Sequence, residues 1–374
     1  MTKAGSTIVI GREALLPALA LVTRVVERRN TIPVLSNVLL SADKGTLTLT
    51  ATDLDMEMTT ARACQLAGKA ISTTLPAAHL HDIVRKLPEG CEVQLTGDDQ
   101  AWEIAGGRSR FRISCLPAAD FPTMTRADLT ASFALPAEVL KHMIETVRFA
   151  ISTEETRYYL NGIHWHVGEN GTLIAVATDG HRLARHVSAL PEAADFPGII
   201  VPRKTVDSIL KMLPDKGAVS VGLAPTRIFV TLEDGTMLVS KLIDGTYPDY
   251  QRVIPQGNAN RFIIDRAALL AAVDRVATIS PVGRAIKFNF GDGELALTAN
   301  NPDAGSGEDT VAAVMEAGEP VEIGFNGRYC IDLLNATQAE NLLFELGDTG
   351  APARVVPQGA GDNPPCFVLM PMRV

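Results

Sequence analysis

Residues 178–183 read Thr-Asp-Gly-His-Arg-Leu, an aspartate and a histidine two positions apart on what looks like a turn. The pair would suit a hydrolase in which Asp179 orients His181 as a general base. Such a base needs a nucleophile and an oxyanion site, and the chain offers neither a Gly-x-Ser-x-Gly elbow nor a Cys/His signature. Two further imidazole pairs, His79 with His81 and His164 with His166, have the spacing that places both rings on one face of a strand, a possible metal edge. No third ligand accompanies either, so no metal and no cofactor are expected. The plainer reading of 178–183 is a tight turn that displays His181 and Arg182 at a domain edge.

The elements that would carry these residues repeat. Segments 163–167 and 172–177 have strand character and flank Gly168-Glu169-Asn170-Gly171, whose glycines and asparagine tolerate the positive φ of a hairpin turn. The same idea returns at 46–58, TLTLTATDLDMEM, and at 294–302, ELALTANNP. Helical periodicity at 11–26 puts Leu15, Leu16, Leu19, Val22 and Val26 on one side, and a second helix, 76–90, opens with Pro76 at an N1-like position. Further helices are expected at 136–151, 202–213, 265–279 and 326–336, each followed by strands. First helices thus start at 11, 136 and 265 and second helices at 76, 202 and 326, a period of roughly 125 residues that marks tandem duplication of a whole domain. The expectation is an α+β chain of three tandem similar domains, 1–127, 128–257 and 258–374, each with two helices and antiparallel sheets. Linkers fall near 125–130 and 256–260, which are rich in polar and turn-forming residues.

At 374 residues the chain is comfortable for two or three domains, and no apolar run approaches the length of a membrane span. The N-terminus lacks the uninterrupted apolar region of a secretory signal. Five cysteines, Cys64, Cys91, Cys115, Cys330 and Cys366, have no Cys-x-x-Cys spacing, which favours reduced thiols and a cytoplasmic location. The net charge of −9 argues against holding nucleic acid by phosphate neutralisation. That charge is unevenly spread. The six helical segments, extended to their turn residues (11–26, 76–90, 136–151, 202–217, 265–279, 326–341), hold 13 Lys+Arg against 11 Asp+Glu, and the remainder 21 against 32.

Nine segments in order carry a resemblance: TIPVLSNVLL at 31, ATDLDMEM at 51, SRFRISCLPAADFP at 109, RYYLNG at 157, VATDGHRLA at 175, VPRK at 201, SKLIDGTYPDYQRVIP at 240, IGFN at 323 and VLMPMRV at the end. Together they resemble the bacterial sliding clamp family, the beta subunit of DNA polymerase III, over essentially the whole chain. The resemblance implies the DNA clamp fold in a head-to-tail homodimer, a six-domain ring whose twelve helices surround duplex DNA. Helices packed about 8–10 Å apart can enclose such a hole. Near-neutral helices and an acidic remainder suit a ring that holds DNA by topology, where tight phosphate contacts would brake sliding.

The same resemblance implies a processivity factor, not an enzyme, whose partners are the replicative polymerase, the clamp loader, and other polymerases and repair proteins that dock short peptides. Implied pocket residues are Leu160, Thr178, Gly180, His181, Arg182, Leu183, Pro248, Arg252, Val253, Asn326, Tyr329, Val368, Met370, Pro371, Met372 and Arg373. Methionines beside a proline at a chain end usually pack an edge strand, yet Met is also the adaptable side chain suited to many ligands. Implied DNA contacts are Arg29, Glu154, Arg157, Tyr158 and Tyr159, with one tyrosine expected in the core and stacking on bases open to the other. Arg203 and Lys204 at a helix start read equally as phosphate partners or as a solvated end. The dimer surface should set Arg108, Arg110, Phe111 and Ile113 against Thr278 and Ile279, an apolar centre with a charged rim. Family members commonly carry an acidic run after Asn-Asn-Pro. Here the loop PDAGSGEDT has only Asp303, Glu308 and Asp309, and the turn 280–283 looks short, which bears on the strength of that seam. Rivals are a paralogous clamp acting as a resistance or decoy copy, and a hydrolase built on Asp179 and His181.

Overall fold

The computed structural model describes residues 6–27, 31–124, 127–190, 194–279, 285–361 and 363–373. By its contacts the chain divides into two compact units, Met1–Glu138 with Asp207–Leu242, and Val139–Val206 with Ile243–Val374.

Six α-helices occur among the described residues: α1 (Arg12–Val22), α2 (Ala77–Lys86), α3 (Ala137–Val147), α4 (Arg203–Met212), α5 (Arg266–Ala277) and α6 (Gly327–Asn335). Each follows directly on a strand, namely Thr7–Gly11, Ile71–Pro76, Ala131–Pro136, Ile199–Pro202, Asn260–Asp265 and Val321–Asn326. The corner residues are Gly11, Pro76, Pro136, Pro202, Asp265 and Asn326. A proline at a corner donates no hydrogen bond, as suits the end of a strand pairing and the start of a helix. Asp265 and Asn326 instead cap: Asp265 Oδ1 accepts from Ala268 N at 2.6 Å, and Asn326 Oδ1 accepts from Arg328 N at 3.0 Å. Pro76 therefore closes its strand and precedes the helix, one place earlier than an N1 residue. α1 also ends sooner than its periodicity suggests, because the Thr23 hydroxyl donates back to Leu19 O at 2.8 Å.

Inward faces follow the expected periods. The strand Thr7–Gly11 buries Ile8 and Ile10, and α5 buries Leu269, Ala272, Val273 and Val276 at helical spacing.

All strand pairings within the sheets are antiparallel. In the first unit, a five-stranded sheet runs Gln65–Ala67, Thr7–Gly11, Glu92–Gly97, Ala101–Gly106, Ser109–Ser114. An eight-stranded sheet runs Ala131–Pro136, Ala218–Ala224, Arg227–Leu232, Met237–Lys241, Met56–Ala63, Thr46–Thr52, Asn37–Asp43, Ile71–Pro76. The second unit holds one twelve-stranded sheet from Ile199–Pro202 to Val321–Asn326. In each unit a strand of one sequence repeat pairs with a strand of the next. Met237–Lys241 lies against Met56–Ala63 with Ser240 opposite Met56, and Cys366–Leu369 lies against Arg182–Ala189 with Leu369 opposite Arg182.

The hairpin expected around 168–171 is present, joining Gly162–Val167 to Thr172–Thr178, and Gly171 takes the left-handed φ of +67°. The loop read at PDAGSGEDT is largely strand: Gly305–Ala317 pairs with Gly293–Asn301 from Asn301 opposite Gly305 onward. Its Gly, Ser and Asp residues have low strand propensity, and the ladder to the neighbouring strand overrides it.

Candidate docking site

The implied pocket residues all fall in the second unit, and sheet pairing explains how distant segments meet. Arg182–Ala189 is hydrogen-bonded to Cys366–Leu369, which sets Leu183 opposite Val368. Beyond that ladder Met370 N donates to His181 O at 2.9 Å and Met372 N donates to Gly324 O at 2.8 Å, so the tail is pinned between the 178–182 turn and the strand leading to α6. Leu160, Leu183 and Val368 are buried together with Val176, Ile200, Tyr247 and Tyr250 in one apolar cluster. Exposed or half-buried groups surround this floor: Gly180 and His181, Pro248, Arg252, Val253, and Met370, Pro371 and Met372.

The turn is built by its own side chains. Asp179 Oδ1 accepts from His181 N at 2.9 Å and Arg182 N at 3.0 Å, and Oδ2 accepts from Arg182 Nε at 3.0 Å. Thr178 Oγ1 accepts from Gly180 N at 3.1 Å and donates to Arg182 O at 2.7 Å, while Gly180 adopts φ +89°. Asp179 is thereby committed to turn geometry and does not orient the His181 ring, which stacks on Tyr329 at 6.3 Å. Arg182 bridges to Asp332 Oδ2 at 2.6 Å and lies over the Tyr329 ring at 4.3 Å. Asn326 is the cap of α6, and this fixes Tyr329 on the first turn of that helix. Met372 and Arg373 line a cleft of about 650 Å³ with Lys287, Asn300 and Glu308.

Beneath the floor, His164 stacks nearly parallel on Tyr247 at 4.6 Å, and His166 Nε2 pairs with the Tyr250 hydroxyl at 2.9 Å. Burial and, second, the neighbouring His166 push His164 down to about 4. Burial likewise raises the Tyr247 phenol. This pair shares a strand face as its spacing suggests, whereas His79 and His81 sit on α2, where positions two apart do not face each other. Among the described residues no three His, Cys, Asp or Glu side chains converge as a metal site would require.

Of the implied DNA contacts, Arg29 lies outside the described residues, as does the turn 280–283. Glu154 and Arg157 pair with each other at 2.9 Å. Tyr159 packs against the apolar cluster, and Tyr158 stands exposed beside it. Arg203 and Lys204 are exposed at the start of α4. In the first unit, Phe111 is exposed on the edge strand Ser109–Ser114, and Arg110 Nη1 pairs with Glu103 at 2.9 Å. Thr278 caps the end of α5, followed by Ile279, whose carbonyl accepts from Asn301 Nδ2 at 3.2 Å. The five cysteines are free thiols.

The repeat read between 46–58 and 163–177 extends to the hydrogen bonds of the turn that follows. The turn at 52–56 reproduces the same bonds: Thr52 Oγ1 donates to Met56 O at 2.8 Å, and Asp53 Oδ1 accepts from Asp55 N at 2.9 Å and Met56 N at 2.7 Å. There, however, Leu54 stands where Gly180 stands, and Asp55 is tied to Lys241 at 3.0 Å. The turn belongs to the repeated unit, and in the 178–183 copy it leads through Leu183 into the buried apolar cluster with Leu160 and Val368. The signal was available in the paired motifs ATDLDM and ATDGHR.

Comparison with known proteins identifies the family. Residues 6–125, 134–249 and 251–373 match the N-terminal, central and C-terminal domains of the DNA polymerase III beta subunit. The beta sliding clamp of Caulobacter vibrioides is 46% identical over 375 residues, covering 98% of this chain and 99% of that protein. That of Escherichia coli K12 is 37% identical over 370 residues, with the same coverage of 98% and 99%. A sliding clamp from Bartonella birtlesii bound to griselimycin superposes with a TM-score of 0.94 at 44% identity, covering 99% of this chain and 100% of the other. A clamp from Pseudomonas aeruginosa with ligand gives 0.92 at 37%, again with 99% and 100% covered. With three tandem clamp domains along its length, this chain belongs to the bacterial DNA polymerase III beta subunit, or beta sliding clamp, family.

Proposed function

We propose that this chain is a DNA sliding clamp, a head-to-tail homodimeric ring that encloses duplex DNA in the cytoplasm. On this reading it tethers the replicative polymerase without catalysing a reaction. The observation that carries the proposal is a pair of complementary strand edges. Twice, the strand after an Ala-Thr-Asp turn (Met56–Ala63, Arg182–Ala189) accepts a strand of the following repeat. The strand after the third such turn is Gly305–Ala317. Its residues 305–312 pair with Gly293–Asn301 alone, Ala313 pairs on both sides, and 314–317 pair with Asn260–Asp265 alone. At the other end of the chain Ser109–Ser114, the counterpart of Met237–Lys241, is an edge strand. A second copy therefore offers each edge its missing partner, and two such heterologous contacts close a ring. Arg108, Arg110, Phe111 and Ile113 on one edge face Thr278 and Ile279 on the other, with Asp303 and Glu308 as acidic rim, while Asp309 is already paired with Arg275 of its own chain at 2.6 Å.

The ring grips by enclosure, so contacts with phosphate from Arg29, Arg157, Arg203 and Lys204 are weak and interchangeable, and Tyr158 is the residue placed to stack on an exposed base. Polymerase, clamp loader and repair proteins dock peptides on the apolar floor of Leu160, Leu183 and Val368, with His181, Arg252, Val253 and Met370 to Arg373 around it. The test is retention. Loaded by its cognate loader, the protein should stay on a nicked circle and slide off the same DNA once linearised, and equal retention on both would mean ordinary groove binding instead.

A further inference from the structure

We propose that Asp332, which lies outside the docking surface, is a positioning residue that sets the wall of the docking site through Arg182. The proposal rests on the docking reading above.

Arg182 is one of the implied pocket residues, yet its guanidinium is already spent. Nε donates to Asp179 Oδ2 at 3.0 Å and Nη1 to Asp332 Oδ2 at 2.6 Å, and the group lies 4.3 Å from the centre of the Tyr329 ring and 5.2 Å from that of Phe149. Only 11% of the side chain is exposed. Tyr329 and Asp332 are three apart on α6 and so share a face, and the Tyr329 ring also stacks on His181 with 24° between the planes. The wall of the site is thus a stack of Phe149, Arg182, Tyr329 and His181, clamped at Arg182 by two carboxylates. Charge-assisted bonds of this length are among the stronger ones a side chain makes, and a stacked guanidinium gains from the ring beneath it.

The repeat shows that the fold does not require this clamp. In the sister turn Met56 takes the place of Arg182. Ser208, six residues beyond the corner Pro202 as Asp332 is six beyond Asn326, takes the place of Asp332. There the contact is a serine hydroxyl 3.7 Å from a methionine sulfur. The same backbone turn, with the same aspartate bonds, forms around a weak uncharged O–H···S hydrogen bond in one copy and an ion pair in the other. What the ion pair adds is a fixed orientation for Tyr329 and His181 beside the apolar cluster of Leu160, Leu183 and Val368.

Asp332→Asn keeps the volume and removes the charge. A fluorescently labelled docking peptide from the cognate replicative polymerase should bind the full-length variant about tenfold more weakly, as expected for a coupled residue off the contact surface. Dimerisation should be unchanged, and the melting temperature should fall only modestly because Asp179 still pairs with Arg182. Asp332→Glu should recover most of the affinity, and Ser208→Ala, the sister position, should leave it alone. A merely structural role would not move the third readout: with no peptide present, the His181 imidazole resonances should shift in Asp332→Asn, because the ring beside them has moved. Parent-like affinity in Asp332→Asn, or weakened affinity with unmoved His181 resonances, overturns the proposal. An unaltered protein that binds no such peptide overturns the docking reading itself, a result distinct from either.

Discussion

Replacing Ile279 by aspartate should part the dimer. Ile279 follows the C-terminal end of α5, is half-buried within its own chain, and lies against Gly307, a residue of the one-sided strand 305–312. If a second copy covers its remaining surface, that contact contributes about 1 kcal/mol, taking half of the 1.5–3 kcal/mol for a fully buried aliphatic side chain. A carboxylate there loses this contribution and also pays for desolvation without a partner, roughly 2 kcal/mol more at a partly wet site. It stands at the negative end of a helix, about 0.5 kcal/mol unfavourable, and near Asp303 and Glu308. The sum, on the order of 3–4 kcal/mol, raises the dimer dissociation constant by a factor of roughly 100–1,000. Sedimentation velocity over a dilution series should show Ile279→Asp as a monomer where the parent is a dimer, and circular dichroism should confirm an unchanged fold. A variant that remains dimeric across the same series would place the seam elsewhere and refute the edge-pairing argument.

Removing residues 370–374 should leave a folded dimer that no longer binds a polymerase-derived peptide, measured by fluorescence anisotropy; undiminished affinity would remove the tail from the docking surface. Thermal stability should fall between pH 6.5 and about 4, because His164 and His186 are each held down to about 4 chiefly by burial, so the unfolded chain takes up protons that the folded one refuses. The loss should reach at most about 3 kcal/mol per histidine, and a flat melting profile over that range would show that neither imidazole is as enclosed as described. Asn326→Ala should cost about 1 kcal/mol in chemical denaturation by uncapping α6, with a larger proportional loss of peptide binding through Tyr329.

Much of this was legible in the chain. The Gly168–Gly171 turn between alternating strands, and the apolar stripes of α1 to α6, are local signals that the fold does not override. The strands that lead into the helices were not read, although Ile71–Pro76, Ala131–Pro136 and Ile199–Pro202 each end at the proline just before the helix. They are short, and Ser72 to Thr74 hides the apolar face, so their pairing depends on partners distant in sequence. Gly305–Ala317 was obscured for the opposite reason, since its composition is that of a turn. The docking residues became visible through family motifs rather than through chemistry. Leu160, Leu183 and Val368 look like ordinary core positions until the sheet brings them under one surface. Arg182 looked like a ligand for peptides, and only the distances to Asp179, Asp332 and Tyr329 show how little of it is left to offer.

The proposed pairing of strand edges 109–114 and 305–312 between copies has a consequence for assembly. Because the two edges are different surfaces, the contact is heterologous, and such contacts give a ring when the angle they impose closes and an open filament when it does not. A substitution that altered that angle by a few degrees at either inter-repeat strand pairing would leave both ends competent while denying them closure. Such a protein would be expected to string into open filaments, so the conformity of the repeats to one another guards against polymerisation.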